Sequence, residues 1–499
     1  MTEMDVDSPQ DAVVYASEDA VGAVMAVFHQ LVRAQSTLDS RFVWRALKEL
    51  ALLRGQTGVL SRETLITLVD TVYPGDSQFK KPLLRYVNHN VKTGVTDSQG
   101  IRAQLPATFY QVVDNQSRIE VAPLVNSFVF LLVQLYLLDS DQLGPLNEFN
   151  LQVVIPKILY HNNNRLLDLI NAKLWFYCVI AQERLGLPAQ AAVRAEMIKF
   201  VKVATLKHDN ETKGMLINLI LRNFLARGEV EHAADFVNKV EFPSNTVSSP
   251  LEARFFFYLA KIMAIQLNYS SASEYIVAAI RKAPHNDKSL GFLQQANKLH
   301  GVIQLLMGDI PELSFFHQPK LSKSLYLYYH LTNSVKIGDL KKFTSTITKY
   351  KQQLIKDGNY QLCVRLRSNV IKTGIRIISL TYKKISLKDI CLKLKLDSEQ
   401  TAEYMVARCI RDGVIEAKIN HELGYIETSE LLNIYDTTDP QETFNERINF
   451  VTQMHNESVL AMRYPDDGKL KKNAQEDSTD AELIEEVSDF SDLDDLEFL

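Results

Sequence analysis

Four cysteines and eleven histidines are the obvious reactive side chains in this 499-residue chain, and their spacing offers little chemistry. A hydrolytic zinc needs a two-histidine platform such as H-E-x-x-H on one helix face, and neither that motif nor an H-x-H pair occurs. Lys372-Thr373-Gly374 and Lys92-Thr93-Gly94 share letters with a phosphate loop but lack the G-x-x-x-x-G-K-[ST] frame whose backbone amides cradle phosphates. There is no G-x-S-x-G elbow to expose a nucleophilic serine. Cys409 and His421 are a nominal nucleophile and base. However, Cys409 belongs to an apolar stripe and His421 to an exposed turn, whereas a reactive thiolate must be activated and partly exposed. The run from His161 to Asn164 reads as a polar loop and helix cap. No catalytic residue, metal ligand or cofactor is expected, and the chain reads as a non-enzyme.

The strongest chemical signal is charge. Between Lys341 and Lys395 there are fourteen Lys or Arg and two acidic residues, Asp357 and Asp389. Such a segment attracts something negative. Two readings stand: a solvated basic helical face, or a contact for an acidic protein segment through Lys341, Lys342, Arg365, Arg367, Lys372, Lys383, Lys384 and Lys388.

Part of that charge enters a stretch, Tyr382 to Thr428, that reads as a winged helix. Ser386 and Asp389 form an S-x-x-D cap for a short helix with Leu387, Ile390, Cys391 and Leu394 at helical spacing. Asp397 and Ser398 are N-cap types for a second helix whose stripe of Ala402, Met405, Val406, Cys409 and Ile410 stops at Gly413. The period then falls to two. Ile415, Ala417 and Ile419 alternate with polar residues, and Tyr425 and Ile426 return after a turn, so a hairpin is expected. Winged helices often bind DNA through the second helix. Here Glu399, Glu403 and Asp412 offset Arg408 and Arg411, which removes the electrostatic term that dominates phosphate binding. Nucleic acid is therefore the lesser reading.

Ahead of this module the chain is helical. From Asp19, Ala20, Val24, Val27, Phe28 and Leu31 share one face, and a second helix follows the Asp39-Ser40 cap. Val121 to Leu138 is uncharged for 18 residues, yet it contains Pro123, Asn126, Ser127 and Gln134, so a buried helix is expected rather than a membrane span. From about residue 165, helices end at Gly186, Gly228, Asn268, Gly308 and Gly338, intervals of 42, 40, 40 and 30 residues. A second helix begins after each, near Pro188, Val230, Ser270, Pro311 and Leu340, which is the period of a two-helix solenoid unit. A helix over about Tyr360 to Tyr382 would join solenoid to winged helix. Beyond Pro440 a helix to Met462 carries Phe444, Ile448, Val451, Met454, Val459 and Met462 as an apolar seam interrupted by His455.

The expected organisation is a disordered 1–15, an N-terminal helical region over 16–164, a solenoid over 165–358, a winged helix over 359–432, a partner helix over 440–463 and an acidic disordered tail over 466–499. Residues 476–499 hold eleven acidic residues and no basic ones, leaving a body of about plus six beneath a chain total of −5. The N-terminal MTEMDVDSPQ is acidic and polar, so no secretory signal is expected. The cysteines, in no C-x-x-C pair, fit a reducing compartment. The fold class is mainly α: a TPR-like solenoid, a winged helix and a C-terminal bundle helix.

That order resembles the PCI-domain family, which scaffolds the proteasome lid, the signalosome and a translation initiation complex. Strings such as NAKLWFY (171–177), KHDNETKGMLINLILR (207–222), RKAPHNDKSLGFLQQANKLH (281–300), LLMGDIPELSFFHQ (305–318) and GDLKKFTSTITKYK (338–351) are similar to fungal non-ATPase regulatory subunits of the proteasome. So is YQLCVRLRSNVIKTGIRIISLTYKKISLKDICLKL (360–394). The resemblance covers about Ser40 to Pro465. It implies a non-catalytic lid subunit serving ubiquitin-dependent degradation in cytoplasm and nucleus, with no membrane partner. Its implied partners are other PCI subunits, the lid deubiquitinase module and a small acidic disordered subunit. It also implies assembly through the wing, assigned to Ile415, Ala417, Ile419, Tyr425 and Ile426, and through a helical bundle that takes the Phe444 to Met462 seam. The alternative is a nucleic-acid-binding PCI protein of an RNA export or transcription-coupled complex.

Overall fold

The computed structural model describes positions 17–54, 61–74, 77–87, 110–113, 118–161, 164–244, 246–284, 286, 289–396, 398–429 and 438–462. The expectations for 1–15, for Asp397 and for the 466–499 tail lie outside the described residues. Two compact units divide the chain, one running to Ile377 and including Lys393–Lys395, the other comprising Ile378–Leu392 and the positions from Leu396 onward.

The first unit opens with helices Ser17–Thr37 and Ser40–Arg54, which bury Val24, Val27, Phe28 and Leu31 on one and Val43, Ala46 and Leu50 on the other. Strand β1 (Tyr110–Val113) pairs antiparallel with β2 (Arg118–Val121). The apolar stretch that follows is the helix Pro123–Asp139, and it is the core of the region. Helices Ser17–Thr37, Arg62–Val72, Lys80–Val87 and Asp168–Leu185 pack around it. Its Gln134 is fully buried and donates to Asn150 Oδ1 at 2.8 Å, so burial costs less than an isolated amide would. No helix among the described residues is long and apolar enough to cross a membrane.

The repeat then runs as helix pairs: Asp168–Leu185 with Leu187–Lys207, Asn210–Arg227 with Val230–Lys239, Ser249–Ile265 with Tyr269–Lys282, Leu290–Met307 with the single turn Leu313–Phe316, and Ser322–Ile337 with Leu340–Lys349. The first helices of successive pairs pack side by side. The shortened fourth pair accounts for the final interval of 30 residues. Gly228 and Gly338 adopt the left-handed conformation that ends these helices. The third turn departs from expectation. Leu267, at φ 74°, takes the positive-φ position, and Asn268 caps the next helix by accepting from the Ser271 amide at 3.4 Å. Asn268 cannot serve both roles, and the cap needs its side chain.

The expected single helix over 360–382 is two, Tyr360–Arg365 and Arg367–Thr381, broken at Leu366. The break puts two polar side chains to use. Arg365 Nη1 donates to the Ala264 and Ile265 carbonyls at 3.4 and 3.3 Å, and Asn369 Nδ2 donates to Leu305 O and Leu306 O at 2.9 and 3.2 Å. Each satisfies carbonyls that a helix C-terminus leaves unpaired. Beside them a partly buried network holds the last repeats: Asp357 accepts from Lys298 Nζ and from the Tyr328 hydroxyl, both at 2.9 Å, while Asn359 Nδ2 donates to Tyr328 at 3.2 Å. Burial, then the Asp357 charge, raises the Tyr328 pKa well above a free phenol's.

Candidate assembly surfaces

The second unit contains most of the winged helix. Strand β3 (Lys384–Ser386) runs straight into the helix Leu387–Leu394, whose start is fixed as expected: Ser386 Oγ accepts from the Asp389 amide at 3.1 Å and donates to Asp389 Oδ2 at 2.8 Å. The helix Glu399–Arg411 begins with a Ser398–Thr401 capping box and buries Ala402, Val406 and Cys409. Strands β4 (Ala417–Asn420) and β5 (Tyr425–Thr428) form the wing, with Ile419 opposite Ile426.

The sheet order is β3-β5-β4, and this corrects the expected edge. Tyr425 and Ile426 lie on the central strand, whose backbone is paired on both sides: Ser386 faces Tyr425 and Ile385 faces Ile426 across one, Ile419 and Asn420 across the other. Ile426 and Ile415 are buried, so neither side chain is on a surface. The sequence reading missed β3 because three residues, K-I-S, running into a helix carry no period-2 signal. What remains at the wing's edge is β4. Its half-buried Ala417 and Ile419 and the outer backbone of Ala417–Asn420 have no strand beyond them among the described residues.

On the would-be DNA-reading helix, both arginines face an acid. Arg408 Nε and Arg411 Nη2 lie 3.8 and 3.3 Å from Asp412, and Glu403 Oε1 lies 2.8 Å from His421 Nδ1. The charge available to a phosphate is correspondingly small. Cys409 is 1% exposed while His421 is held at the surface by Glu403, an arrangement without the accessible thiolate that nucleophilic chemistry requires. Burial also pushes the Cys178 and Cys363 thiols up to about 12. Among the described residues no group of His, Cys, Asp or Glu is placed to hold a metal ion.

The helix Asp439–Met462 is the most exposed apolar element described. At 1.5 Å per residue its 24 residues span about 36 Å. Phe444, Ile448, Val451 and Met462 are 60–68% exposed and Met454 is 51% exposed; Val459 is half-buried. Phe444, Ile448, Val451, Val459 and Met462 fall within one narrow stripe, with Met454 at its margin and His455 in its middle. Phe450 and Leu460, also more than 60% exposed, lie off that stripe and were missed by the seam pattern. Fully burying such a side chain contributes roughly 1.5–3 kcal/mol, so the stripe represents several kcal/mol not realised among the described residues.

The basic residues do not behave alike. Lys341 and Lys342 are exposed on the Leu340–Lys349 helix, with Lys342 Nζ 3.9 Å from Asp339. Arg365 is exposed and also serves as the helix cap described above. Arg367 is exposed and Lys372 half-buried. In the second unit, Lys383 and Lys388 are exposed, while Lys384 lies 3.2 Å from Glu427 and over the Tyr425 ring.

A helical-repeat array followed by a winged helix and an amphipathic helix is the architecture of the PCI class. The chain matches the families of PSMD3-like N-terminal TPR repeats over 19–332, of the PCI domain over 347–430, and of the C-terminal part of the proteasome regulatory subunit over 433–495. It is 60% identical to the 26S proteasome regulatory subunit RPN3 of Saccharomyces cerevisiae, across 94% of this chain and 92% of that one. It is 36% identical to the probable 26S proteasome regulatory subunit rpn3 of Schizosaccharomyces pombe across 92% and 88%, and 33% identical to the probable 26S proteasome non-ATPase regulatory subunit 3 of Drosophila melanogaster across 98% and 96%. The chain belongs to the family of 26S proteasome regulatory subunit 3.

Proposed function

We propose that the chain is a non-catalytic scaffold subunit of the lid of the proteasome regulatory particle, serving ubiquitin-dependent protein degradation by holding neighbouring PCI subunits together. The observation that carries this reading is the uncovered stripe of Phe444, Ile448, Val451 and Met462, an amphipathic face that a helical bundle would bury. The unpaired edge of β4 supports it, since a strand added there would extend the wing sheet. In this proposal the winged-helix contact is Ala417 to Asn420 rather than Tyr425 and Ile426. The neighbours are other PCI lid subunits and the lid deubiquitinase module. A small acidic lid subunit takes exposed basic residues such as Lys341, Lys342, Lys383 and Lys388. The protein works in cytoplasm and nucleus. Nucleic acid is disfavoured by the acid-paired arginines of the Glu399–Arg411 helix.

The test is joint replacement of Phe444, Ile448 and Val451 by serine, followed by native mass spectrometry of purified lid. The variant chain should melt as the parent does on its own yet be missing from the complex. Normal incorporation would refute the bundle role, and loss of cooperative melting would show that the helix belongs to the chain's own core.

A further inference from the structure

The Ser40–Arg54 helix has a second face that its packing does not use. Val43, Ala46 and Leu50 turn inward, whereas Arg41, Trp44, Arg45, Lys48 and Leu52, at i, i+3, i+4, i+7 and i+11, share the solvent side. Trp44 is 49% and Leu52 56% exposed, large apolar side chains set between three cations. A fourth, Arg33 of the preceding helix, joins them through Phe42: the Arg33 and Arg45 guanidinium carbons lie 5.0 and 5.5 Å from the centre of that ring. The stacking orders both guanidiniums without neutralising either. Of the nearby acids, Glu49 accepts from Gln30 Nε2 at 2.5 Å and Asp39 caps the helix by accepting from the Arg41 backbone amide at 3.0 Å, rather than pairing with a cationic side chain of this face.

We propose that this face docks an acidic peptide carrying aliphatic or aromatic anchors, beyond the assembly surfaces assigned above. Charge complementarity names the occupant. Four cations without a carboxylate partner among the described residues flank one Trp and one Leu, the pairing of ordered arginine with aromatic anchor that concentrates binding energy in protein interfaces. From Arg41 to Leu52 the face is about 16 Å long, which five or six extended residues would span. A nucleic acid would use the cations and Trp44 but leave Leu52 against phosphate. A membrane would need a wider apolar stripe than two side chains divided by charges.

The probe is a fluorescein-labelled peptide, Asp-Leu-Asp-Glu-Phe-Leu-Glu-Asp, titrated with the full-length chain and read by anisotropy. Paired Arg41→Glu and Arg45→Glu should weaken binding at least tenfold, and Trp44→Ala at least fivefold, with unchanged circular dichroism because all three side chains are exposed. A control with Lys157→Glu and Lys202→Glu, exposed cations outside the face, should stay within twofold of the parent. Unchanged binding in the first two variants overturns the proposal. So does an equal loss in the control, or tighter binding of a single-stranded oligoribonucleotide or of phosphatidylserine vesicles than of the peptide.

Discussion

Replacing Gly338 with alanine should loosen the last solenoid turn from the Arg367–Thr381 helix, and the size of the effect follows from two separable terms. Gly338 has φ 72°, a conformation that costs an L-residue roughly 1–2 kcal/mol. In addition, a Cβ there would sit 2.6 Å from Gly374 N and 2.7 Å from Gly374 Cα, backbone atoms that cannot swing aside. Comfortable carbon contacts begin near 3.5 Å, so the two segments must part by roughly 1 Å, an overpacking cost of about 1–3 kcal/mol. Gly228 supplies the control, since it has φ 77° but nothing within 4 Å of its added Cβ, so Gly228→Ala carries the backbone term alone. The difference, about 1–3 kcal/mol, corresponds to roughly 5- to 150-fold more frequent opening at the joint. Hydrogen–deuterium exchange of peptides covering 367–377 is the assay. Exchange should accelerate by that factor in Gly338→Ala relative to Gly228→Ala. Equal exchange in the two variants would refute the claim that a glycine–glycine contact sets how closely the helices approach.

Asp168 opens one first-helix of the repeat and Asp209 caps the next, and burial, reinforced by the Asp209 charge, raises the Asp168 carboxyl to about 7. A carboxyl raised in the folded state favours folding while protonated, so its contribution is complete below the unfolded pKa near 4 and is lost as pH rises to about 7. Asp168→Asn should therefore gain melting temperature over the parent at pH 8 compared with pH 5, with Arg165 and Lys207, which line the same small cavity, unchanged. A gap between the two proteins that is the same at both pH values would count against the raised carboxyl. Leu267 holds φ 74° while 61% exposed, so Leu267→Gly should relieve strain at little packing cost and raise stability by up to about 1 kcal/mol in urea denaturation. A destabilised variant would mean that the Leu267 side chain packs more than its exposure suggests.

Much of the fold was legible because its signals act over a few residues. The Ser386 and Ser398 caps are local hydrogen bonds, and the turn glycines that punctuate the repeat report conformations the neighbouring sequence cannot alter. The stripe of the Asp439–Met462 helix is likewise periodicity within one element. Apart from the Leu267–Asn268 turn, which the local Asn268 cap sets, the misread positions depend on partners remote in sequence. Leu366 breaks an otherwise continuous helical pattern where Arg365 and Asn369 reach carbonyls about 100 and 64 residues away. Three residues of β3 turn a hairpin into a sheet whose second wing strand is central, moving the exposed edge from Tyr425 to Ala417–Asn420. The exposed face around Trp44 was invisible for the same reason: helical spacing shows that Arg41, Trp44 and Lys48 share a side but not whether another helix covers it.

The sequence by itself determined the order of modules, the repeat period, the absence of familiar catalytic motifs and the amphipathic character of the last helix, since composition and short-range stereochemistry suffice for each. Only the tertiary structure decided which strand lies at the edge, which arginine caps a remote helix and which apolar side chains stay uncovered, because pairing and burial belong to segments brought together by the fold.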